Sequence, residues 1–260
     1  MQRLTIKKIL KKKGKRPIVC LTSYTKSVTK ILDKYCDIIL VGDSVGMVLY
    51  GMKNTRDVKI ETMILHGKTV RKAAKRSLIV IDMPYNTYFD RPSAYKNAKK
   101  IIKKTSCDAV KLEGGKKVVN IIKYLTQKGI PVMGHIGLLP QSSTNFKLKG
   151  KSVFQKKKIL EDAKAISEAG AFAIVVECVV ESLAKEITNS ISVPTIGIGA
   201  SKYCDGQILV INDVIGLSDF SSKFVKQYAN VSGIIEKSVR NYCKDVRTRR
   251  FPSSRNVYRY

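Results

Sequence analysis

No apolar run in this 260-residue chain approaches the roughly 20 residues that a bilayer-spanning helix requires. The first fifteen residues are basic and contain nothing like the apolar core of a signal peptide. These two absences point to a cytoplasmic protein with no membrane partner. None of the six cysteines, Cys20, Cys36, Cys107, Cys178, Cys204 and Cys243, forms a Cys-x-x-Cys pair. Free, buried thiols are the expectation for such a chain. Histidine occurs only twice, at His66 and His135, without a partner at ligand spacing, so a zinc site is not expected. Acid is scarce as well: 20 Asp and Glu stand against 49 Lys and Arg, for a formal net charge of +29.

That charge raises the question of nucleic acid. The basic residues are spread over many amphipathic segments, among them 7–13, 71–76, 96–104 and 156–158, on faces opposite the apolar positions. No RNA-recognition, zinc-finger or helix-turn-helix signature accompanies them. Solvated helix exteriors explain the pattern better than a binding patch, and no nucleic-acid partner is expected.

Short β-branched runs alternate with longer helical patterns. The predicted strands are Ile18–Thr22, Ile38–Val41, Leu78–Asp82, Ala109–Glu113, Val132–His135, Ala173–Glu177, Thr195–Ile198 and Ile208–Ile211. Amphipathic segments lie between most of them: Ser27–Tyr35, Glu61–Arg76, Ser93–Lys104, Val118–Gln127, Ser152–Ala169 and Ser182–Ser190. Leu4, Ile6, Ile9 and Leu10, interleaved with lysines, predict a short N-terminal helix, and a long segment, Phe220–Val246, follows the last strand. Near-continuous apolar strands separated by helices argue for a parallel sheet buried on both faces. Eight of them argue for a (β/α)8 TIM-type barrel, a single domain over 1–260 with a short N-terminal helix and a C-terminal helical segment. A doubly wound open sheet is the alternative, but Leu21-Thr22-Ser23-Tyr24 is not the glycine-rich phosphate loop such a sheet usually carries.

Three of the strands end on a carboxylate: Asp82, Glu113 and Glu177. Asp43 follows a fourth strand by one glycine. Acids at the ends of buried strands are costly unless they bind a cation, pair or do chemistry. In a barrel, Asp43, Asp82 and Glu113 converge from neighbouring strands about 4.8 Å apart, and a set of carboxylate oxygens suits Mg2+, with Mn2+ and Co2+ as alternatives, rather than zinc. Helix capping or pairing with lysine is the plainer reading of any one acid. Lys111 shares a strand face with Glu113. It has three open readings: an anchor for a substrate carboxylate, a neutralising partner, or a Schiff-base amine. Glu177, across the barrel, is placed to act as a base on a metal-bound substrate, or forms a structural ion pair. His135 ends its strand in Gly134-His135-Ile136-Gly137, where it faces substrate or is a satisfied core histidine. His66 reads as structural. Ser44 caps a helix or donates to substrate. These residues together predict a metal-assisted enolisation of a 2-oxo acid.

The ordered motifs then become specific. Val41-Gly42-Asp43-Ser44-Val45-Gly46-Met47, Asp82-Met83-Pro84-Tyr85 and Val110-Lys111-Leu112-Glu113-Gly114-Gly115 resemble segments of the ketopantoate hydroxymethyltransferase family. So do Gly134–Leu138 with Pro140-Gln141-Ser142, Val176–Val179, Ile196–Ala200 and Asp205-Gly206-Gln207. The resemblance covers nearly the whole chain. It implies a (β/α)8 barrel and a homo-oligomer, a decamer in many members. It implies hydroxymethyl transfer from 5,10-methylenetetrahydrofolate to 3-methyl-2-oxobutanoate, giving 2-dehydropantoate in pantothenate biosynthesis. By the same resemblance Asp43 and Asp82 bind one Mg2+ per subunit, with Glu113 in the metal site directly or through water. Asp43, Ser44, Asp82 and Lys111 contact the oxo acid, His135 lies near the reacting carbon, and Glu177 is the base. The chain departs from the family at Thr25, Lys59, Thr105–Cys107 and Ser201. It departs again in the loop Ser142–Lys147, which lacks the usual Gly-Gly pair and is about two residues shorter.

Overall fold

The structure, a computed structural model, describes residues 3–143, 147–218 and 220–259. Thr144, Asn145 and Phe146, at the centre of the divergent loop, lie outside the described residues. The chain divides into two compact units, Met1–Val210 and Ile211–Tyr260.

The first unit is a closed barrel of eight parallel strands in sequence order. They are β1 (Ile18–Thr22), β2 (Ile38–Val41), β3 (Leu78–Asp82), β4 (Ala109–Lys111), β5 (Val132–Gly137), β6 (Ala173–Glu177), β7 (Thr195–Ile198) and β8 (Gly206–Leu209). β8 closes on β1, with Ile18 opposite Gly206. Five strands fall where the hydrophobic runs place them. β4 is two residues shorter than expected, which leaves Glu113 just beyond the ladder. β8 starts two residues earlier than expected, at a glycine whose added Cβ would lie 2.5 Å from the Ile18 carbonyl oxygen. Only a residue without a side chain allows that close pairing.

Helices α1 (Ile6–Leu10), α2 (Lys26–Leu32), α3 (Val45–Tyr50), α4 (Ile60–Ala73), α5 (Arg91–Thr105), α6 (Val119–Gln127), α7 (Val153–Glu168) and α8 (Glu181–Ser190) alternate with the strands. The short α3 has no counterpart among the sequence expectations. The lysines fall as the periodicity requires: α5 buries Ala94, Ala98, Ile101 and Thr105 while Lys96, Lys99, Lys100, Lys103 and Lys104 face solvent. Asp90 caps this helix, its side chain accepting from the Ser93 amide, and Pro92 sits in the first turn where no amide is needed.

Each strand sends alternate residues to opposite faces. One set, including Ile18, Cys20, Ile38, Leu40, Leu78, Val80, Met133 and Val175, forms a single buried cluster inside the barrel. The other set meets the helices. An added Cβ on Gly67 of α4 would lie 2.4 Å from Ile81, and one on Gly134 of β5 would lie 2.5 Å from Ile166 of α7. Burial on both faces explains why the strands read as unbroken apolar runs.

α1 closes the N-terminal end of the barrel. Ile9 is fully buried within the interior cluster, and Leu4 and Ile6 pack against it. Aspartates that immediately precede three strands hold this segment by charge. Asp37 pairs with Lys12 at 2.7 Å, Asp205 with Lys13 at 2.8 Å, and Asp108 with Arg3.

The second unit contains α9 (Ile211–Val214) and α10 (Val231–Arg247). The helical part of the expected Phe220–Val246 segment thus begins at Val231, where Asn230 caps it by accepting from the Gly233 amide. All six cysteines are free; Cys20, Cys36, Cys107 and Cys204 are buried. Among the described residues, no helix is long and apolar enough to cross a membrane.

Replacing Ile9 by Ala should destabilise the barrel by about 2–5 kcal/mol, the usual cost of such a cavity. Leu10→Ala, at a position 38% exposed, should cost about 0.5 kcal/mol. Equal shifts in urea denaturation would mean that α1 does not seal the barrel.

Candidate active site

The alternation that fills the barrel also builds its C-terminal mouth. On β3 the inward series Leu78, Val80 ends at Asp82. On β4 it runs from Ala109 to Lys111 and then to Glu113. On β5 Met133 is followed by His135, and on β6 Ala173 and Val175 are followed by Glu177. On β1 Cys20 leads through Thr22 to Tyr24. Apolar layers thus give way to ionisable ones within one turn of the pleat. Asp43 enters differently. It lies beyond β2, after Gly42, where the chain bends into α3.

Asp82 is the junction. It is 2% exposed. Its Oδ1 accepts from Lys111 Nζ at 2.8 Å, across paired positions of β3 and β4. Its Oδ2 accepts from the Asp43 amide at 3.1 Å, which fixes the bend after β2. Asp43 Oδ2 accepts from Gln141 Nε2 at 2.7 Å. Glu113 has other partners: Oε1 accepts from the Gln141 amide at 2.7 Å, and Oε2 lies 3.4 Å from His135 Nδ1. On the other side of the ring, His135 Nε2 is 3.2 Å from Glu177 Oε2. Gly137, paired with Glu177, has φ +91°, and a Cβ there would lie 2.3 Å from the Glu177 carbonyl oxygen. A side chain at 137 would therefore displace the backbone that carries Glu177.

Ser44 makes no helix-capping bond; its Oγ shares a 2.8 Å hydrogen bond with the Tyr24 hydroxyl. His66 is satisfied on both nitrogens, by the Tyr50 hydroxyl and the Tyr24 carbonyl, each at 2.8 Å, as a structural histidine should be. Tyr24, Tyr88 and Arg56 were given no role in the sequence reading. They lie on loops that follow strands or α3, where a barrel places its functional groups, and that position was the available signal.

Electrostatics follow from burial. Asp43 is raised above the carboxylate range, first by burial and then by the charge of Asp82. Burial alone would favour a neutral Lys111. The charges of Asp82, Asp43 and Glu113 outweigh it and raise the lysine, so it remains an ammonium. A Schiff-base role needs the free amine, and this environment opposes it. His135 behaves alike. Burial lowers it, but Glu113 and Glu177 outweigh burial and push it up to about 9. Its two nitrogens lie 3.4 and 3.2 Å from these carboxylates without a well-aligned hydrogen bond. Cys178, beside Glu177, is pushed up to about 11 by burial and by that neighbour's charge, and stays a thiol.

Among the described residues, no group of three or more His, Cys, Asp or Glu side chains is arranged to hold a metal ion. Asp43 and Asp82 do form a joined pair of hard oxygen donors. Mg2+ is commonly held by one or two carboxylates, with waters and substrate oxygens completing its shell. The charge fits too. With all four ionised, the carboxylates at the mouth outnumber one ammonium and one imidazolium by two charges, and burial first and the charge of Asp82 second raise Asp43. The donor set therefore fits a divalent cation on Asp43 and Asp82, with Glu113 outside the pair.

Comparison with known proteins agrees with the motifs. The family model described as ketopantoate hydroxymethyltransferase matches residues 3–254. A relative from Pelagibacter ubique, named 3-methyl-2-oxobutanoate hydroxymethyltransferase, is 54% identical over 97% of this chain and 99% of its own length. One of the same name from Phenylobacterium zucineum is 50% identical over 99% of this chain and 95% of its own. Among solved structures, phosphonopyruvate hydrolase in complex with oxalate and Mg++ superposes with a TM-score of 0.62 at 10% identity, covering 97% of this chain and 93% of that one. A 2,3-dimethylmalate lyase gives 0.61 at 10% identity, covering 94% and 85%. At such identity these two structures show the shared barrel fold alone.

Because His135 is raised in the folded state, its favourable contribution is complete below its ordinary value of about 6.5 and is lost as pH rises through about 9. The stability gap between the wild type and His135→Gln should narrow across that window in urea titrations. A gap that is flat from pH 6 to 10 would contradict an imidazolium between Glu113 and Glu177.

Proposed function

The chain belongs to the ketopantoate hydroxymethyltransferase family, and from that membership and the site geometry we propose that it transfers a hydroxymethyl group to 3-methyl-2-oxobutanoate. The donor in this reading is 5,10-methylenetetrahydrofolate, and the product is 2-dehydropantoate. One observation carries the chemistry. Two buried carboxylates, Asp43 and Asp82, are joined on one side of the mouth, while Glu177 stands three strands away with His135 as its only ionic partner among the described residues. That division separates a cation-binding pair from a carboxylate free to take a proton.

Asp43 and Asp82 would hold Mg2+, which when bound supplies a Lewis acid for the 2-oxo and carboxylate oxygens of the substrate. The Lys111 ammonium, fixed on Asp82, balances negative charge that develops on the substrate's oxygen. The Glu177 carboxylate accepts the proton from C3. His135, held charged 3.2 Å away, orients the Glu177 carboxylate. The Tyr24 hydroxyl orients Ser44 for a hydrogen bond to the substrate carboxylate. The C3 carbanion equivalent then forms a bond to the methylene carbon of the folate. Both carbon–nitrogen bonds of the donor's methylene bridge break, the two nitrogens take up the proton lost from C3 and one from water to give tetrahydrofolate, and the remaining hydroxide of that water becomes the new hydroxyl group. By family resemblance the reading extends to a cytoplasmic homo-oligomer, which light scattering would size.

With both substrates and Mg2+, mass spectrometry should detect 2-dehydropantoate. Glu177→Gln should lower kcat by about 100- to 10,000-fold, the range for losing a general base. Its oxo-acid affinity should stay within about threefold of the wild type, since the amide keeps the shape of the carboxylate. Undiminished turnover in this variant would remove Glu177 as the base. A folded wild type that yields no product would overturn the proposed reaction.

A further inference from the structure

Gln141 is 2% exposed and meets five residues of the mouth at once. Its amide N–H donates to Glu113 Oε1, and its carbonyl accepts from Arg56 Nε at 2.8 Å. The main chain is thus fixed on both sides. The Nε2 group donates to Asp43 Oδ2 at 2.7 Å and to the Met83 carbonyl at 3.1 Å, and Oε1 accepts from the Tyr88 hydroxyl. Two acceptors face the amino end and one donor faces the oxygen, so only one orientation of the amide satisfies all three. Reversal would set Oε1 against a carboxylate and a carbonyl.

Asp43 responds to this hold. Its Oδ2 is taken by Gln141, while among the described residues none donates to Oδ1. A carboxylate pinned through one oxygen presents the other as a single, oriented ligand. Groups that fix metal ligands from behind in this way set affinity without touching the ion. Arg56 stacks over the Tyr85 ring at 5.6 Å, which steadies the guanidinium that holds the Gln141 carbonyl.

We propose that Gln141 is a positioning residue, which together with Tyr88 selects Oδ1 of Asp43 as the oxygen offered to a divalent cation. The inference rests on the metal reading above and adds a residue that makes no contact with the ion or the substrate. It accounts for the family-like Pro140-Gln141-Ser142 motif, to which the reaction itself assigns nothing.

The test is Mn2+ binding to the full-length protein, read from the EPR signal of free Mn2+, with no substrate and no turnover. Gln141→Met should weaken binding about 10- to 100-fold, and Tyr88→Phe, which removes the donor to Oε1 and a long 3.4 Å acceptor for the Glu113 amide, should weaken it several-fold. In an Asp43→Asn background, Gln141→Met should weaken binding no further, because it acts through Asp43. Affinity within twofold of the wild type in Gln141→Met overturns the inference, as does an equal loss in the Asp43→Asn background. If Gln141→Met fails to fold, Tyr88→Phe decides, and unchanged affinity there overturns the inference. A wild type that binds no Mn2+ overturns the metal reading and this inference together; a wild type that binds it while both variants bind equally well overturns this inference alone.

Discussion

Carboxylates buried at the C-terminal ends of parallel strands are the constraint on which the site depends. A buried carboxylate without a partner is expensive. This chain places Asp43, Asp82 and Glu113 out of solvent and Glu177 at its margin. Lys111 and His135 compensate two of those charges through Asp82, Glu113 and Glu177. What remains is an excess of carboxylate in a low-dielectric mouth, where burial and the charge of Asp82 disfavour the ionised form of Asp43. In the proposed reading a divalent cation, arriving with an anionic substrate, offsets that excess.

The opposite end of the barrel uses the same residue type for another purpose. Asp37, Asp108 and Asp205 sit one residue before strands and pair with Lys12, Arg3 and Lys13 of the N-terminal segment. Those basic partners keep part of their side chains in solvent, so the pairs cost less to form and fasten α1 over the end of the core. Position along the strand therefore separates binding chemistry from structure. An aspartate before a strand meets lysine or arginine side chains that reach in from the surface. An acid after a strand meets groups from neighbouring strands.

Much of this was legible in the sequence because strand burial writes itself as short apolar runs, and five strands coincide with those runs residue for residue. The acids Asp82, Glu113 and Glu177 were legible because they interrupt an inward apolar series at its end. α3 was not, since six residues after a tight turn leave no periodicity to read. The start of β8 was set by the pairing of Gly206 with Ile18, a contact between residues 188 positions apart in the chain. The anchoring of Glu113 was hidden for a similar reason. It depends on the Gln141 main chain and His135, which reach Glu113 from other strands and loops. Tyr88 and Arg56 sit in loops, where spacing carries little information about direction.

Enolisation of the 2-oxo acid by this arrangement of carboxylates is the central claim, and it is separable from folate. The direct measurement is proton NMR of 3-methyl-2-oxobutanoate in D2O with the protein and Mg2+, without any folate. The expected result is metal-dependent loss of the C3 proton and collapse of the methyl doublet, with little exchange in Asp82→Ala. A folded wild type that leaves the C3 proton in place at every metal concentration would contradict the assignment of proton abstraction to this site.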